Sequence, residues 1–485
     1  MQTMTTSSNQ MSVDNPARSI YEQTRLAHWD RVARKRDSWK GWGAAYNRRL
    51  NEIYRYLISP GQRILEIGCG MGDLVAALRR ERGVGVDFSA EMVQRGRVHH
   101  PEIEFVQLDA HDLSSVEGPF DTIIFSDTVN DLWDVQDAFQ QIQRLCLPST
   151  RVLVNFYSGL WQIPLAAAQR FDLAAPMLPQ NWLTPEDLRN MLSLAGFETV
   201  RSWHEILWPL PLGGFANKFL VRFWPFREFA LSNFVLARPQ ARPIAQEASV
   251  SVIIPARNES GNIRSIFERT PQFGRELELI FVEGHSRDDT YAAIEREIRA
   301  HPATSSRLLQ QTGIGKADAV RLGFDEARGD VLMILDGDLT VPPEDLPRFY
   351  AALQEGRGEL INGVRLVYPM EKEAMQGLNF LGNKFFSLAF SWMLGQPIKD
   401  TLCGTKVLWR YDYKLIAANR SYFGDFDPFG DYDLIFGAAK LNRKIVDLPI
   451  RYRERTYGAT NISRWKHGML LLRMVAFAAI KIKFV

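Results

Sequence analysis

The sequence predicts two doubly wound α/β domains in tandem, and three observations carry that expectation. At 485 residues the chain exceeds one ordinary domain. Short apolar runs alternate with helical stretches in both halves, the pattern of a parallel sheet flanked by helices. Between the halves, Ala237–Ser249 reads ARPQARPIAQEAS, where prolines and small residues interrupt any periodicity and suit a linker. The expected boundaries are a disordered start over 1–20, a first domain over 21–236, a linker over 237–249 and a second domain over 250–485.

In the first half, Arg63–Ile67, Val84–Asp87, Glu104–Leu108, Thr122–Ser126 and Arg151–Phe156 read as buried strands, with helices over Asp73–Arg82 and Ala90–His99 among those between them. The second half restarts the alternation with Ser251–Pro255, Leu279–Val282 and Val331–Leu335. Composition is globular, 46% apolar and 24% charged, and a net charge of +2 gives no footing for nucleic acid. Basic residues gather at one end, with eleven Lys or Arg against two acids from Lys440 onward. Three scattered cysteines, without a C-x-x-C pair, predict neither disulfides nor a zinc site and fit a reducing cytosol. The start lacks a signal peptide's apolar stretch, and no apolar run reaches the roughly 18 residues of a spanning helix. Leu378–Ile398 is broken by Lys384, and Gly468–Ile480 by Arg473. The expected location is the cytoplasm or the inner face of a membrane.

Glu66-Ile-Gly68-Cys-Gly70-Met-Gly72-Asp73 closes the first strand and opens a helix, so a ligand can approach the backbone closely. A nicotinamide fingerprint would need a third glycine at position 73, which is Asp. Asp87 ends the next strand, placed to accept a ribose's two hydroxyls, and Asp109 follows the third. On these residues the segment of about 40–200 resembles the class I methyltransferases. The resemblance implies S-adenosylmethionine held by Glu66, Gly68, Gly70, Gly72, Asp87 and Asp109. It places a fourth motif at Phe120–Trp133, with Ser126, Asp127 and Asn130 beside the methyl donor. Leu183–Val200 resembles that fold's closing helix and strand. An oxygen acceptor would also need a base, for which Asp127, Asp131 and His111 are candidates. A scaffold that presents an acceptor or recruits a membrane subunit is the rival to catalysis. The segment Glu205–Leu236, with aromatics from Trp208 to Phe226, reads as an acceptor lid, a domain interface or a membrane-surface patch.

In the second half, Pro255, Arg257, Asn258 and Glu259 leave the first strand, and Glu283 ends the second. Lys316 follows a Gly-Ile-Gly turn, and Asp336-Gly-Asp338 follows the third strand. Two acids one residue apart suit a divalent ion that neutralises a leaving diphosphate. These residues resemble the inverting family 2 glycosyltransferases of the GT-A fold, over roughly 249–460. The resemblance implies a UDP- or GDP-sugar pocket of Pro255, Arg257, Glu259, Glu283, Lys316 and Asp336, with Mg²⁺ or Mn²⁺ on Asp336 and Asp338. Glu283 stands where the family commonly has Asp, and His285 where it has Gly.

Within the family, Asp338–Leu346, Asn362–Arg365, Asp400–Lys406 and Arg455–Asn461 look like segments of the polyprenyl-phosphate sugar synthases. That likeness implies a catalytic set of Asp338 and Arg365, and an acceptor phosphate met by Arg365, Arg455, Arg464 and Lys466. Asn461 replaces the family's lysine. An anionic acceptor needs no base, whereas an alcohol such as a glycan or glycolipid does, and Asp431 in the acidic run Asp425–Asp433 is the candidate. Arg464–Val485 reads either as a basic interfacial helix or as a core helix. Covalent fusion implies that the methyl acceptor is the glycosylated product or a neighbour in its pathway.

Overall fold

The computed structural model describes residues 16–35, 43–170, 177–241, 243–365, 367, 377–420, 430, 432–453, 455, 457 and 464–485. The chain divides between Pro239 and Gln240 into two compact units. Residues 16–20, expected to be disordered, form the first turns of a helix, and Ala237–Pro239 of the expected linker complete a strand.

Unit 1 begins with α1 (Pro16–Lys35) and α2 (Gly43–Leu57). There follow β1 (Gln62–Ile67), α3 (Asp73–Ala77), β2 (Arg80–Asp87), α4 (Ala90–His99), β3 (Glu104–Gln107), β4 (Phe120–Ser126) and α5 (Val135–Ile142). The unit closes with β5 (Cys146–Tyr157), α6 (Gln162–Arg170), α7 (Pro185–Leu194), β6 (Phe197–Glu205), α8 (Gly214–Lys218) and β7 (Ser232–Pro239). The sheet order is β3-β2-β1-β4-β5-β7-β6, parallel as far as β5 and antiparallel on both sides of β7. The strands bury continuous apolar runs on both faces, as helix-covered sheets do. The helix expected over Asp73–Arg82 stops at Ala77. The Arg80 guanidinium donates to the Ala76 and Leu78 carbonyls at 3.0 Å, satisfying the end of the helix, while Gln62 draws Arg80 into register as a strand.

Unit 2 contains β8 (Val250–Ala256), α9 (Ile263–Arg269), β9 (Leu277–Glu283), α10 (Thr290–Ala300), β10 (Ser305–Gln310), α11 (Lys316–Glu326) and β11 (Val331–Ile334). Then come β12 (Leu360–Val364), β13 (Lys406–Trp409) and β14 (Ile445–Pro449). Its order is β10-β9-β8-β11-β13-β12-β14, with β13 antiparallel to both neighbours. In each unit the order reverses beside the first strand, at β1/β4 and at β8/β11. Ligands of open α/β sheets bind at the carboxyl ends beside such a reversal. Among the described residues no helix is long and apolar enough to cross a membrane.

Candidate functional site

In unit 1 the chain leaves β1 through glycines at φ 68°, 54° and 78° (Gly68, Gly70, Gly72), a left-handed run that side chains resist. A Cβ on Gly68 would lie 2.5 Å from the Thr128 side chain, which spans the ends of β1 and β4 by donating to the Ile67 and Ser126 carbonyls. A Cβ on Gly72 would strike the Phe105 ring at 2.5 Å. Gly72 therefore acts behind the loop, whereas Gly68 and Gly70 line a cavity of about 1610 Å³ together with Asp87, Asp109 and Asp127.

Each acid there has a different restraint. Glu66 accepts the Val75 N–H at 3.0 Å, and burial outweighs that bond, pushing its carboxyl up to about 8. Asp87 accepts the Gly70 N–H at 2.8 Å and the Ser89 N–H at 2.9 Å, tying β2 to the glycine loop. Burial moves it up to about 6. Asp109 pairs with His111; burial opposes both charges, yet the bond wins, lowering the acid and raising the histidine.

Asp127 sits at φ 55° just past β4. It accepts the Tyr46 hydroxyl at 2.9 Å and the Asn155 amide at 2.6 Å, and Tyr54 donates to that Asn155 at 2.6 Å. Burial pushes Asp127 up to about 7 against these neutral donors. The other two candidate bases are otherwise engaged. Asp131 receives Arg25 at 2.9 Å and Trp29 at 2.5 Å, fastening α1 over the cavity. His111 is pinned between Asp109 and the Asp134 backbone. Asn130 turns away from the cavity, its amide donating to the Asn181 carbonyl at 2.8 Å.

These residues fit a nucleoside with a charged tail. Glycine backbone stands at the strand end, Asp87 and Asp109 both line the cavity, and a volume of about 1610 Å³ leaves room for an acceptor. Tyr46, Asn155 and Tyr157, the last a further hydrogen-bond partner of Asp127 on the cavity lining, belong to no recognisable motif, and the sequence reading missed them.

In unit 2 the chain leaves β8 with Asn258 at φ 58°, its side chain accepting the Arg287 N–H at 2.8 Å. The Glu259 N–H donates to Thr290 at 2.9 Å, which hooks this loop to the one after β9. Glu259 accepts Asn262 at 2.7 Å, and burial raises it to about 7 in spite of Arg455 at 3.5 Å. Glu283 is buried and accepts the Ser286 N–H at 2.5 Å, Pro255 is half-buried, and Arg257 is exposed.

Lys316, at the start of α11, meets Asp336 at 2.6 Å. Burial alone would raise Asp336, but Lys316, then Lys406 and Arg365, hold it below the usual range. A Cβ on Gly404 would overlap both ends of this pair, so any side chain there would have to push Lys316 and Asp336 aside. Asp338 accepts Arg455 at 2.6 Å on one oxygen and the Thr340 N–H and hydroxyl at 3.1 and 2.8 Å on the other. Tyr457 lies against Gly261, and Ser260 is 3.0 Å from its hydroxyl. Arg455 and Tyr457 thus both reach the loop after β8.

Arg365 departs from its expected role. Its Nε donates to Asp400 at 2.7 Å and a terminal nitrogen at 2.9 Å, and Asp400 is fully buried. It is a structural ion pair, so Arg365 positions the loop before β13 and does not offer a free cation. Lys406, fully buried and donating to the Cys403 carbonyl, was not singled out from sequence. Asp431 lies outside the described residues, as do the side chains of Arg464 and Lys466.

Among the described residues no three His, Cys, Asp or Glu side chains gather as a metal cage. Asp336 and Asp338 fit a hard divalent ion that takes one or two carboxylates and completes its shell with substrate phosphates and water. Lys316 and Arg455 now hold the positive charge beside those oxygens.

Residues 36–202 match the family model for a methyltransferase domain, and residues 251–412 match that for glycosyl transferase family 2. The undecaprenyl-phosphate 4-deoxy-4-formamido-L-arabinose transferase of Proteus mirabilis is 34% identical over 220 residues, which is 44% of this chain and 63% of that protein. The chain thus spans less than two thirds of that relative's length. Among solved structures, a SAM-dependent methyltransferase of Thermotoga maritima aligns at 16% identity and TM-score 0.35, over 44% of this chain and 98% of its own. Glucosyl-3-phosphoglycerate synthase of Mycobacterium tuberculosis aligns at 19% and TM-score 0.35, over 48% and 80%. The chain joins a methyltransferase domain to a family 2 glycosyltransferase domain.

Proposed function

We propose that unit 2 transfers a sugar, with inversion, from a UDP- or GDP-sugar to a polyprenyl phosphate, and that unit 1 methylates an acceptor with S-adenosylmethionine. The observation that carries the first part is the pair of ion pairs past β11, Lys316–Asp336 and Arg455–Asp338. Each sets a cation beside an acid at the carboxyl end of the sheet, where a diphosphate and a second phosphate would need both. An acceptor phosphate oxygen bonds to the sugar's anomeric carbon while the bond to the diphosphate breaks. The acceptor is already an anion, so Arg455 and Lys316 orient charge and no base is required. A divalent ion on Asp336 and Asp338 would supply charge neutralisation to the leaving diphosphate. The match to an undecaprenyl-phosphate transferase supports the choice of acceptor.

In unit 1, Gly68, Gly70, Asp87 and Asp109 hold the methyl donor, which supplies an activated methyl group. Asp127 takes the acceptor's proton, since its bonds are to neutral donors and it lines the cavity. The enzyme then works in the cytoplasm at the inner face of a membrane, where its lipid acceptor resides.

The test is a partition assay with the full-length protein, labelled UDP- and GDP-sugars, Mg²⁺ or Mn²⁺, and polyprenyl phosphate in detergent. Label entering the organic phase, and lost with Asp338→Ala, supports the reading. Label that stays aqueous while the nucleotide sugar still binds would redirect it to an alcohol acceptor, for which Asp431→Asn should abolish transfer.

A further inference from the structure

Between β6 and β7, residues 206–230 place aromatic side chains where water can reach them. Phe215 is 66% exposed, Trp224 74% and Phe229 60%, and Leu212 is fully exposed. Looseness does not account for this, because the segment is internally fastened. The Asn217 side chain accepts the Trp208 N–H and donates to the Trp208 carbonyl, both at 2.7 Å. Arg222 is buried and donates to the buried Glu205 at 2.5 Å, anchoring the segment to β6. Phe215 stacks on Phe219 with centroids 5.4 Å apart, so the shelf is organised on its outer side as well.

Its extent is continued by the neighbouring helix. Trp161 donates to the Phe229 carbonyl at 2.9 Å, which sets the start of α6 beside the shelf, and Leu160 and Ile163 there are 63% and 80% exposed. A fully covered aromatic side chain buries about 150–250 Å², so rings exposed by 42–74% at seven positions from Trp208 to Phe229 leave apolar surface of the order of the several hundred Å² that marks an interaction site.

Two features identify the occupant. The first is continuity with the cavity: Trp161, Leu165, Trp208, Pro209 and Leu210 line it, so the same two segments form the shelf and an apolar wall of the methyl-transfer cavity. The second is composition. The shelf carries Trp and Phe with exposed Lys218 and Arg227, and its one acid, Glu228, is paired with Arg227 at 2.8 Å. Aromatic side chains beside basic ones suit the boundary between headgroups and acyl chains of an anionic bilayer.

We propose that this shelf docks unit 1 onto an anionic phospholipid surface, with the apolar wall of the cavity beside the lipid. The proposal rests on the lipid-acceptor reading for its biological sense, but its physical content is separate. Vesicle binding can succeed or fail whatever the fate of the sugar-transfer assay.

The experiment is flotation of the full-length protein with phosphatidylcholine vesicles, with and without about a third phosphatidylglycerol. It compares wild type, Phe215→Ser/Trp224→Ser, and Met469→Ser/Leu472→Ser on the C-terminal helix, whose residues are also exposed. Calorimetric binding of S-adenosylhomocysteine and far-UV circular dichroism control for folding. The expected result is that wild type floats, more strongly with phosphatidylglycerol. The shelf variant loses about tenfold or more in partitioning, keeping its fold and nucleoside binding, while the C-terminal variant is little changed. No flotation of wild type would overturn the proposal. So would flotation that survives the shelf variant but is lost with the C-terminal one. Light scattering that shows a dimer abolished by the shelf changes, without vesicle binding, would assign the surface to a second copy instead.

Discussion

The two sites solve opposite electrostatic problems with the same side chain. In unit 1 three of the carboxylates are held by neutral donors: Asp87 by the Gly70 and Ser89 N–H groups, Asp127 by Tyr46 and Asn155, Glu66 by the Val75 N–H. Burial then dominates and all three are raised, to about 6, 7 and 8. In unit 2, Asp400 is fully buried and Asp336 half-buried, yet Arg365 and Lys316 beside them reverse the direction that burial favours. Glu259 is the exception: burial raises it, and Arg455, 3.5 Å away and closer to Asp338 at 2.6 Å, offsets that only in part. The lesson concerns what each unit keeps in reserve. Beside the paired Asp109 and Asp131, unit 1 offers Glu66, Asp87 and Asp127 held by neutral donors, which suits a cationic donor and a proton to be accepted. Unit 2 stores cations against acids, which suits polyanionic ligands.

The sharpest way to break this contrast is Asp338→Ala. Sugar transfer is expected to fall roughly 10³-fold or more, in keeping with the loss of a main charge stabiliser, while S-adenosylhomocysteine binding stays unchanged by calorimetry. Next in size is Arg365→Ala. It strands the buried Asp400 and should destabilise unit 2 by about 3–5 kcal/mol, read as faster hydrogen exchange over β12 and β13 with unit 1 unaffected. Asp400 is lowered in the folded state, so its contribution is present above the unfolded carboxylate value and is lost as pH falls through the folded one.

Asp127→Asn should cost methyl transfer about 10²-fold, with nucleoside affinity kept within about threefold. The assay follows labelled methyl into a lipid extract. Smallest is Glu66→Gln. The wild-type group is raised to about 8, so between about pH 4 and pH 8 the folded chain holds a proton that the unfolded chain has released. Stability therefore falls as pH rises through that window and levels off above it. The variant lacks that fall, so its melting temperature should match wild type near pH 4–5 and exceed it by a few degrees near pH 9.

The strands and the two acid-bearing loops were legible because their signals are local. Apolar runs such as Ile253–Pro255, glycines at 68, 70 and 72, and the pair Asp336 and Asp338 all declare themselves within a few residues. What was hidden depends on strand order. Asp127 meets Tyr46 from α2, and Asp338 meets Arg455 from the far end of unit 2, and nothing in either local pattern names the partner. Arg365 misled for the same reason: an arginine after a strand looks available until Asp400, brought beside it by the loop before β13, takes its donors. The Asp73–Arg82 helix was overextended because Arg80 is a good helix former, but pairing with β1 won.

The most direct test of the two-site account is calorimetry on one full-length preparation, titrated with S-adenosylhomocysteine and then with UDP or GDP in the presence of Mn²⁺. The account predicts two independent heats, the first lost with Asp87→Ala and kept with Asp338→Ala, the second the reverse. A nucleoside heat that survives Asp87→Ala, or a single heat sensitive to both changes, would contradict it.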